Sequence, residues 1–361
     1  MKRGCMIKVF VVDDSAVVRT AITTLVTKEP DIELVGVAQD PIFAMEKFQR
    51  QGWPDVIILD IEMPRMDGLT FLKKIMATRP TPVIICSSVA QKGSRSAIEA
   101  MSVGAVEVIG KPEFQVKNFF EEVHERFVIA IRAAANSRLK ATTKPASNFL
   151  TSLEDKKSAD AMLPKINRAL NSTNVEKYIA IGSSTGGVQT LEAILTKISP
   201  SSPPILITQH MPAGFTASFA ERLNRICPVH VKEAANGDKL ERGSVYIAPG
   251  ELHMMIKRIN TGLVIEIKDG PRVSRHKPSV DVLFRSCANE APRNCTAFIL
   301  TGMGDDGARG MKELFDKGAT TYAQEEKTCV VYGMPKEAVA LGGVHKSLTP
   351  IQIIEAIRGI K

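Results

Sequence analysis

Five short apolar runs recur within the first ~125 residues, at Lys8–Asp14, Glu33–Gln39, Asp55–Ile61, Pro82–Ser87 and Ala105–Gly110. Between them lie amphipathic stretches of helical period, at Ala16–Lys28, Pro41–Gln51, Leu69–Thr78 and Ser94–Val103. Strands alternating with helices of this length demand right-handed crossovers, and hence a parallel sheet with helices on both faces. The runs VIIL and VIIC are apolar at every position. A strand buried on both faces needs that pattern, whereas a half-exposed antiparallel strand would alternate.

The same grammar returns at Tyr178 with YIAIGSSTGG, read as strand, Gly-rich turn and helix. PILITQH and TAFILTGMGDDG repeat it, and HMMIKRINTGLVIEIK reads as an added β-hairpin turning at Asn260–Gly262. Residues from about Asn136 to Glu176 are rich in Ser, Thr, Asn, Lys and Ala and carry no sustained period, which is linker chemistry with a helical start continuing from Phe119–Arg138. The 361 residues therefore divide into a domain at 1–125, a linker at 126–177 and a second domain at 178–361, both domains doubly wound α/β.

Composition decides between classes of function. The net charge of +8 would point to nucleic acid, but residues 126–177 carry six of those eight charges, so the excess is that of a basic linker. At 44% hydrophobic and 24% charged the chain is neither disordered nor collagenous. No apolar run approaches the ~18–20 residues of a membrane-spanning helix. The first residues begin like a signal peptide, but Asp13 and Asp14 end the apolar stretch early, so a cytoplasmic protein is expected. The six cysteines form no CxxC pair, which predicts reduced thiols rather than disulfides or zinc.

In a doubly wound sheet the carboxyl ends of the strands form the ligand crevice. In the first domain they present Asp13 and Asp14, Asp60, Ser87 and Lys111. Carboxylates converging on one edge repel each other unless a cation sits among them, and a few hard oxygen ligands suit Mg²⁺. With VVDDS before it and GKP after it, DIEMPRMDG at residues 60–68 resembles the receiver domain of two-component response regulators, over about residues 7–125. The resemblance implies a flavodoxin-like fold and phosphorylation of Asp60. It also implies Mg²⁺ held by Asp13, Asp14, Asp60 and the backbone carbonyl of Glu62, and phosphoryl sensing by Ser87 and Lys111. Near Val108 the chain is aliphatic where the family usually has an aromatic switch residue.

The second domain's GSSTGG fits neither nucleotide reading. No acidic residue ends the next strand, as a dinucleotide site needs, and no Gly-Lys-Ser/Thr follows, as a P-loop needs. The strand ends offer Ser183 or Ser184, His210, and Asp305 or Asp306. A hydroxyl needs an imidazole base, and that base a carboxylate to orient it. Spacing alone does not choose within the serine or aspartate pairs. Together GSSTGG, TQHMPAGFT, KPSVD, LTGMGDDGA and VVYGMP resemble the catalytic domain of the chemotaxis protein-glutamate methylesterases, over about residues 178–358.

That resemblance implies Ser184 as nucleophile, His210 as general base and acid, Asp306 as orienting carboxylate, and the amides of Thr185 and Met303 as oxyanion donors. It implies no cofactor for the esterase. The implied reaction is phosphorylation-activated hydrolysis of glutamyl methyl esters on chemoreceptors, with deamidation of receptor glutamines. The implied partners are methylated receptors and a chemotaxis histidine kinase, with no nucleic acid and no membrane insertion. Arg272, Arg275, His276 and Lys277 form a basic patch that is either a solvated face or a contact for an acidic receptor helix. The receiver is expected to inhibit the esterase, so that a fragment beginning near Asn174 escapes control. The rivals are a receiver-controlled hydrolase outside chemotaxis and a DNA-binding response regulator. The second needs a helix-turn-helix module, about half the length of residues 178–361.

Overall fold

A computed structural model describes residues 6–88, 91–111, 119–137, 156–166 and 175–360, in two compact units divided between Ser147 and Asn148. The extreme N-terminus, Pro112 of the GKP motif and half of the expected linker, residues 138–155 and 167–174, lie outside the described residues.

The first unit alternates β1 (Ile7–Val12), α1 (Ala16–Val26), β2 (Ile32–Ala38), α2 (Pro41–Gln51), β3 (Val56–Leu59), α3 (Gly68–Thr78), β4 (Val83–Ser87), α4 (Gln91–Val103), β5 (Glu107–Gly110) and α5 (Phe119–Ala135). Its sheet is parallel in the order β2-β1-β3-β4-β5, the doubly wound arrangement expected. The fully apolar runs are β3 and β4, buried at every position. α1 turns Val18, Ala21, Ile22 and Leu25 into the core at helical spacing, and Ser15 caps it through the amide of Val18. Asp40 and Asp67 cap α2 and α3 in the same way.

The second unit carries β6 (Tyr178–Ser183), α6 (Gly187–Leu195), β7 (Ile205–Gln209), α7 (Phe215–Ile226), β8 (His230–Glu233), β9 (Ser244–Ile247), β10 (His253–Ile259), β11 (Gly262–Lys268), α8 (Val280–Glu290), β12 (Cys295–Ile299), α9 (Ala308–Asp316), β13 (Thr320–Gln324), α10 (Met334–Ala340), β14 (Lys346–Leu348) and α11 (Pro350–Arg358). Seven strands form a parallel sheet in the order β14-β13-β12-β6-β7-β9-β8. β10 and β11 pair antiparallel as the added hairpin, and β10 is tied to α8 by the Ile256 amide on Ser286 Oγ at 3.1 Å. β6 has β7 on one side and β12 on the other, so the topological switch point lies between β6 and β12.

Two boundaries differ from the sequence reading. α5, within the helical stretch read at Phe119–Arg138, runs to Ala135 and so carries the first unit past the limit set at residue 125, because Phe127, Ile131 and Ala134 are buried in that unit. Residues 156–166, inside the stretch read as linker, pack on the second unit, where Ala159 joins Met255, Val273 and Val282 in a buried cluster. Their apolar residues are too few and too closely spaced to register as a period. Five described cysteines are free, four of them buried. Among the described residues no helix is long and apolar enough to cross a membrane.

Candidate functional site

Each unit gathers polar side chains at the carboxyl edge of its sheet. In the first, β1 delivers Asp13 and Asp14 and β3 delivers Asp60, with carboxylate oxygens of all three within 4.8 Å of one another. Asp60 Oδ1 accepts from the Ile61 amide at 2.7 Å, while Oδ2 accepts from Lys111 Nζ at 2.7 Å. Lys111 also stands 3.1 Å from Asp13 Oδ2, an atom that is buried and makes no hydrogen bond. Ser87, at the end of β4, is fully buried, and its carbonyl accepts from the Lys111 amide at 2.9 Å. Asp14 and Glu62 are exposed at the rim. Gly68 is required where α3 begins, because a Cβ there would lie 2.0 Å from the Asp60 carbonyl oxygen.

The electrostatics of this pocket are those of a site short of positive charge. Burial pushes Asp60 up to about 6, partly offset by Lys111 and reinforced by Asp13. Asp13 moves the same way, again chiefly through burial. One lysine, shared between Asp13 and Asp60, does not neutralise three carboxylates. The donor set fits a small hard divalent cation.

In the second unit the three candidate side chains follow β6, β7 and β12, three adjacent strands of which β6 and β12 flank the switch point. The turns after them lead into α6, α7 and α9, each beginning on a left-handed glycine: Gly186 at φ 79°, Gly214 at 81° and Gly307 at 90°. His210 Nε2 lies 2.7 Å from Asp306 Oδ2. The other ring nitrogen, Nδ1, is buried without a hydrogen bond. Ser184 is bracketed from both sides: its amide donates to Thr301 O at 3.0 Å, and its carbonyl accepts from Gln209 Nε2 at 3.0 Å. The turn after β12 backs onto it so closely that a Cβ at Gly302 would stand 2.7 Å from Ser184 Cβ.

The geometry separates the pairs that spacing left open. Ser183 is wholly buried and its hydroxyl donates to Gln209 Oε1 at 2.7 Å, whereas Ser184 makes no such commitment. Asp305 points outward and pairs with Lys156; Asp306 is buried against His210. Asp306 also accepts from Ser279 Oγ at 2.7 Å and from the amides of Val280 at 2.8 Å and Asp281 at 3.0 Å, at the N-terminus of α8. Burial works against its charge, but the bonds from His210 and these donors prevail and hold it down to about 2. The carboxylate stays ionised and fixes the imidazole with Nε2–H toward it, leaving Nδ1 to accept a proton.

Four residues, Gln209, Ser279, Asp281 and His276, had no part in this site in the sequence reading. Gln209 donates to both Ser184 O and His210 O, the latter at 3.1 Å, and so ties these two residues together. Ser279 and Asp281, within the quoted KPSVD motif, meet Asp306 only because α8 is aimed at it. His276, assigned to the basic patch, stacks flat on His210 with ring centroids 3.6 Å apart and planes 8° from parallel.

A model of the CheB methylesterase family matches residues 179–357, and one of the response regulator receiver domain matches residues 9–124. A Pseudomonas syringae pv. tomato protein named protein-glutamate methylesterase/protein-glutamine glutaminase 2 is 51% identical over 98% of this chain and 99% of its own length. The protein of the same name from Chromobacterium violaceum is 52% identical, covering 96% and 98%. The crystal structure of the Thermotoga maritima CheB methylesterase catalytic domain is 37% identical over 50% of this chain and 97% of that one, with a TM-score of 0.49.

Proposed function

The chain belongs to the family of receiver-linked protein-glutamate methylesterases, and from that premise we propose that it hydrolyses glutamyl methyl esters of chemoreceptors, deamidates receptor glutamines, and does both under control of Asp60 phosphorylation. The observation that carries the assignment of residues is the buried His210–Asp306 pair at 2.7 Å, set beside the one serine of GSSTGG whose hydroxyl is not tied to Gln209.

In this reading Ser184 Oγ attacks the ester carbonyl and His210 Nδ1 takes its proton. Asp306 stabilises the imidazolium that forms. The amides of Thr185, at the start of the α6 turn, and of Met303, on the turn backing onto Ser184, receive the developing oxyanion. His210 returns the proton to the leaving methoxide, releasing methanol. Water activated by His210 then frees the glutamate from Ser184. With a glutamine side chain the leaving group is ammonia and the residues act identically.

In the receiver the Asp60 carboxylate attacks the phosphorus of a phosphodonor, in the cell the phosphohistidine of a histidine kinase, and the P–N bond breaks to return the kinase imidazole as the Asp60 acyl phosphate forms. Asp13, Asp14, Asp60 and the Glu62 carbonyl would hold Mg²⁺, which when bound neutralises charge on the transferring phosphoryl group. Lys111 and Ser87 bind the phosphoryl oxygens of the product, so Lys111 exchanges its bond to the Asp60 carboxylate for one to the phosphoryl group. We place the working compartment in the cytoplasm, where such receptors present their methylated helices. Methanol release from methylated receptor membranes, with acetyl phosphate and Mg²⁺ present, tests the whole reading. Wild type should release methanol and Ser184→Ala should not; activity retained in Ser184→Ala would sink the nucleophile assignment.

A further inference from the structure

Residues 156–166 lie in the stretch whose composition reads as linker, yet they are bound to the catalytic unit along their whole length. Asp160 Oδ1 and Leu163 O accept from Arg285 Nη1 at 2.8 and 3.1 Å, and Arg285 is itself buried against Glu313. Asn289 grips the far end, donating to Pro164 O at 2.9 Å and accepting from the Ile166 amide at 3.1 Å. Met162 fills the space over Gly270, where a Cβ would stand 2.2 Å from its Sδ.

Two of the contacts end on the walls of the active site. Lys156 pairs with Asp305, the neighbour of Asp306. The Lys157 carbonyl accepts from the Ser274 amide at 2.9 Å. Ser274 belongs to a tight turn in which Val273 and His276 exchange backbone bonds at 3.0 and 2.9 Å. Ser274 and Arg275 both sit in the left-handed region, at φ 50° and 70°. Non-glycine residues hold that conformation only where the surroundings impose it. The turn delivers His276 onto the face of His210, and Ser274 Oγ reaches Asp281 at 2.8 Å, whose amide holds Asp306.

We propose that residues 156–166 form a positioning strap for the esterase site, clamping the 269–279 loop so that His276 stacks on His210 and holds the plane of the catalytic imidazole. The proposal rests on the Ser184–His210–Asp306 reading and adds to it. The strap touches no substrate; it acts through the turn it binds. A ring free to tilt presents Nδ1 poorly to the nucleophile, and small misplacements of a catalytic group cost roughly 10–100-fold in rate.

The test uses the full chain, activated by acetyl phosphate and Mg²⁺, with methanol release from receptor membranes as the readout. Exchanging residues 156–163 for a Gly/Ser sequence of equal length should lower kcat roughly 10–100-fold while KM stays within about twofold. His276→Ala should do the same, and His276→Phe, which keeps a flat ring in the stack, should recover most of the loss. Combining the strap exchange with His276→Ala should cost little more than either alone, because both break one linkage. Multiplying losses in the combination, or an unchanged kcat in the strap exchange, would overturn the proposal. Should the exchange disturb folding, the point variants Lys156→Ala and Asp160→Asn carry the same cycle, and additivity with His276→Ala again defeats it. Ser184→Ala runs alongside: if it still hydrolyses, the triad reading fails, an outcome distinct from an intact triad indifferent to the strap.

Discussion

Asp60 and Asp306 are the same residue in nearly the same place. Each follows a central strand of a parallel doubly wound sheet, and each is 1% exposed. Burial raises the cost of charge in both. Asp60 ends up at about 6 and Asp306 at about 2. The difference is the supply of donors. Asp60 shares one lysine with Asp13 and has further carboxylates for neighbours. Asp306 faces a histidine, a serine hydroxyl and two amides at a helix N-terminus, where the helix dipole also favours its charge. The first arrangement suits a group that must take on a phosphoryl and a cation. The second suits a group that never changes protonation and serves only to hold another.

The largest effect expected from breaking this arrangement is in the second unit. Ser184→Ala and His210→Gln should each lower ester hydrolysis by about 10⁴–10⁶, and Asp306→Asn by less, since the base remains but loses its orientation. Ser183→Ala should stay within about tenfold of wild type, because its hydroxyl serves Gln209 rather than substrate. Methanol release under activating conditions ranks the four.

Control of one site by the other is a smaller effect. A fragment beginning at Asn148 should hydrolyse receptor esters roughly 5–150-fold faster than the unphosphorylated full chain, the range of ordinary coupling energies, and should ignore acetyl phosphate. The start point near Asn174 expected from composition lies outside the described residues and would discard the strap at 156–166. Equal rates for the longer fragment and the unphosphorylated full chain would remove inhibition by the receiver as the mechanism.

Stability gives opposite signs for one substitution in the two sites. Asp60 has its folded pKa raised from 3.8 to about 6, so the native receiver binds more protons than the unfolded chain across that window, and stability falls as pH rises through it. Asp60→Asn should therefore stabilise the receiver by about 1–2 kcal/mol at pH 7.5 in chelator, with the gain gone near pH 4. Asp306 has its folded pKa lowered to about 2, so its contribution is present above pH ~4 and lost as pH falls toward 2. Asp306→Asn should destabilise the second unit by about 1–2 kcal/mol at pH 7.5. Calorimetry of both variants reads the two signs directly, and the same sign in both would refute the donor-supply explanation.

The smallest effect sharpens the comparison inside the second unit. Asp281 is buried beside Asp306, and burial followed by that neighbour's charge raises it to about 7. Its folded pKa exceeds the unfolded one, so it weakens the unit as pH climbs from about 4 through 7. Asp281→Asn should flatten that decline by about 1 kcal/mol. A pH series of unfolding midpoints that runs parallel to wild type would show that Asp281 does not titrate in this way.

Much of this protein was legible along the chain because its chemistry is local. A parallel strand buried on both faces writes itself as VIIL or VIIC. A strand that ends in a crevice delivers its next residue there, so Asp13, Asp60, Ser184, His210 and Asp306 could be named from position in the alternation together with the family motifs around them. α5 ran beyond residue 125 and residues 156–166 left the linker because a few buried side chains, not a period, tie each to its unit. What sets Ser183 apart from Ser184, and Asp306 apart from Asp305, is partners 25 to 27 positions away, Gln209 on Ser183 and the start of α8 on Asp306. His276 looked like one more basic surface residue until the turn at Val273–His276 laid it on His210. The sequence by itself determined the elements and the edge where the functional groups gather, because strand burial and turn chemistry act between neighbours. Only the tertiary structure decided which groups are charged, held or free, because that depends on the donors a buried atom meets, and those arrive from the far ends of other elements.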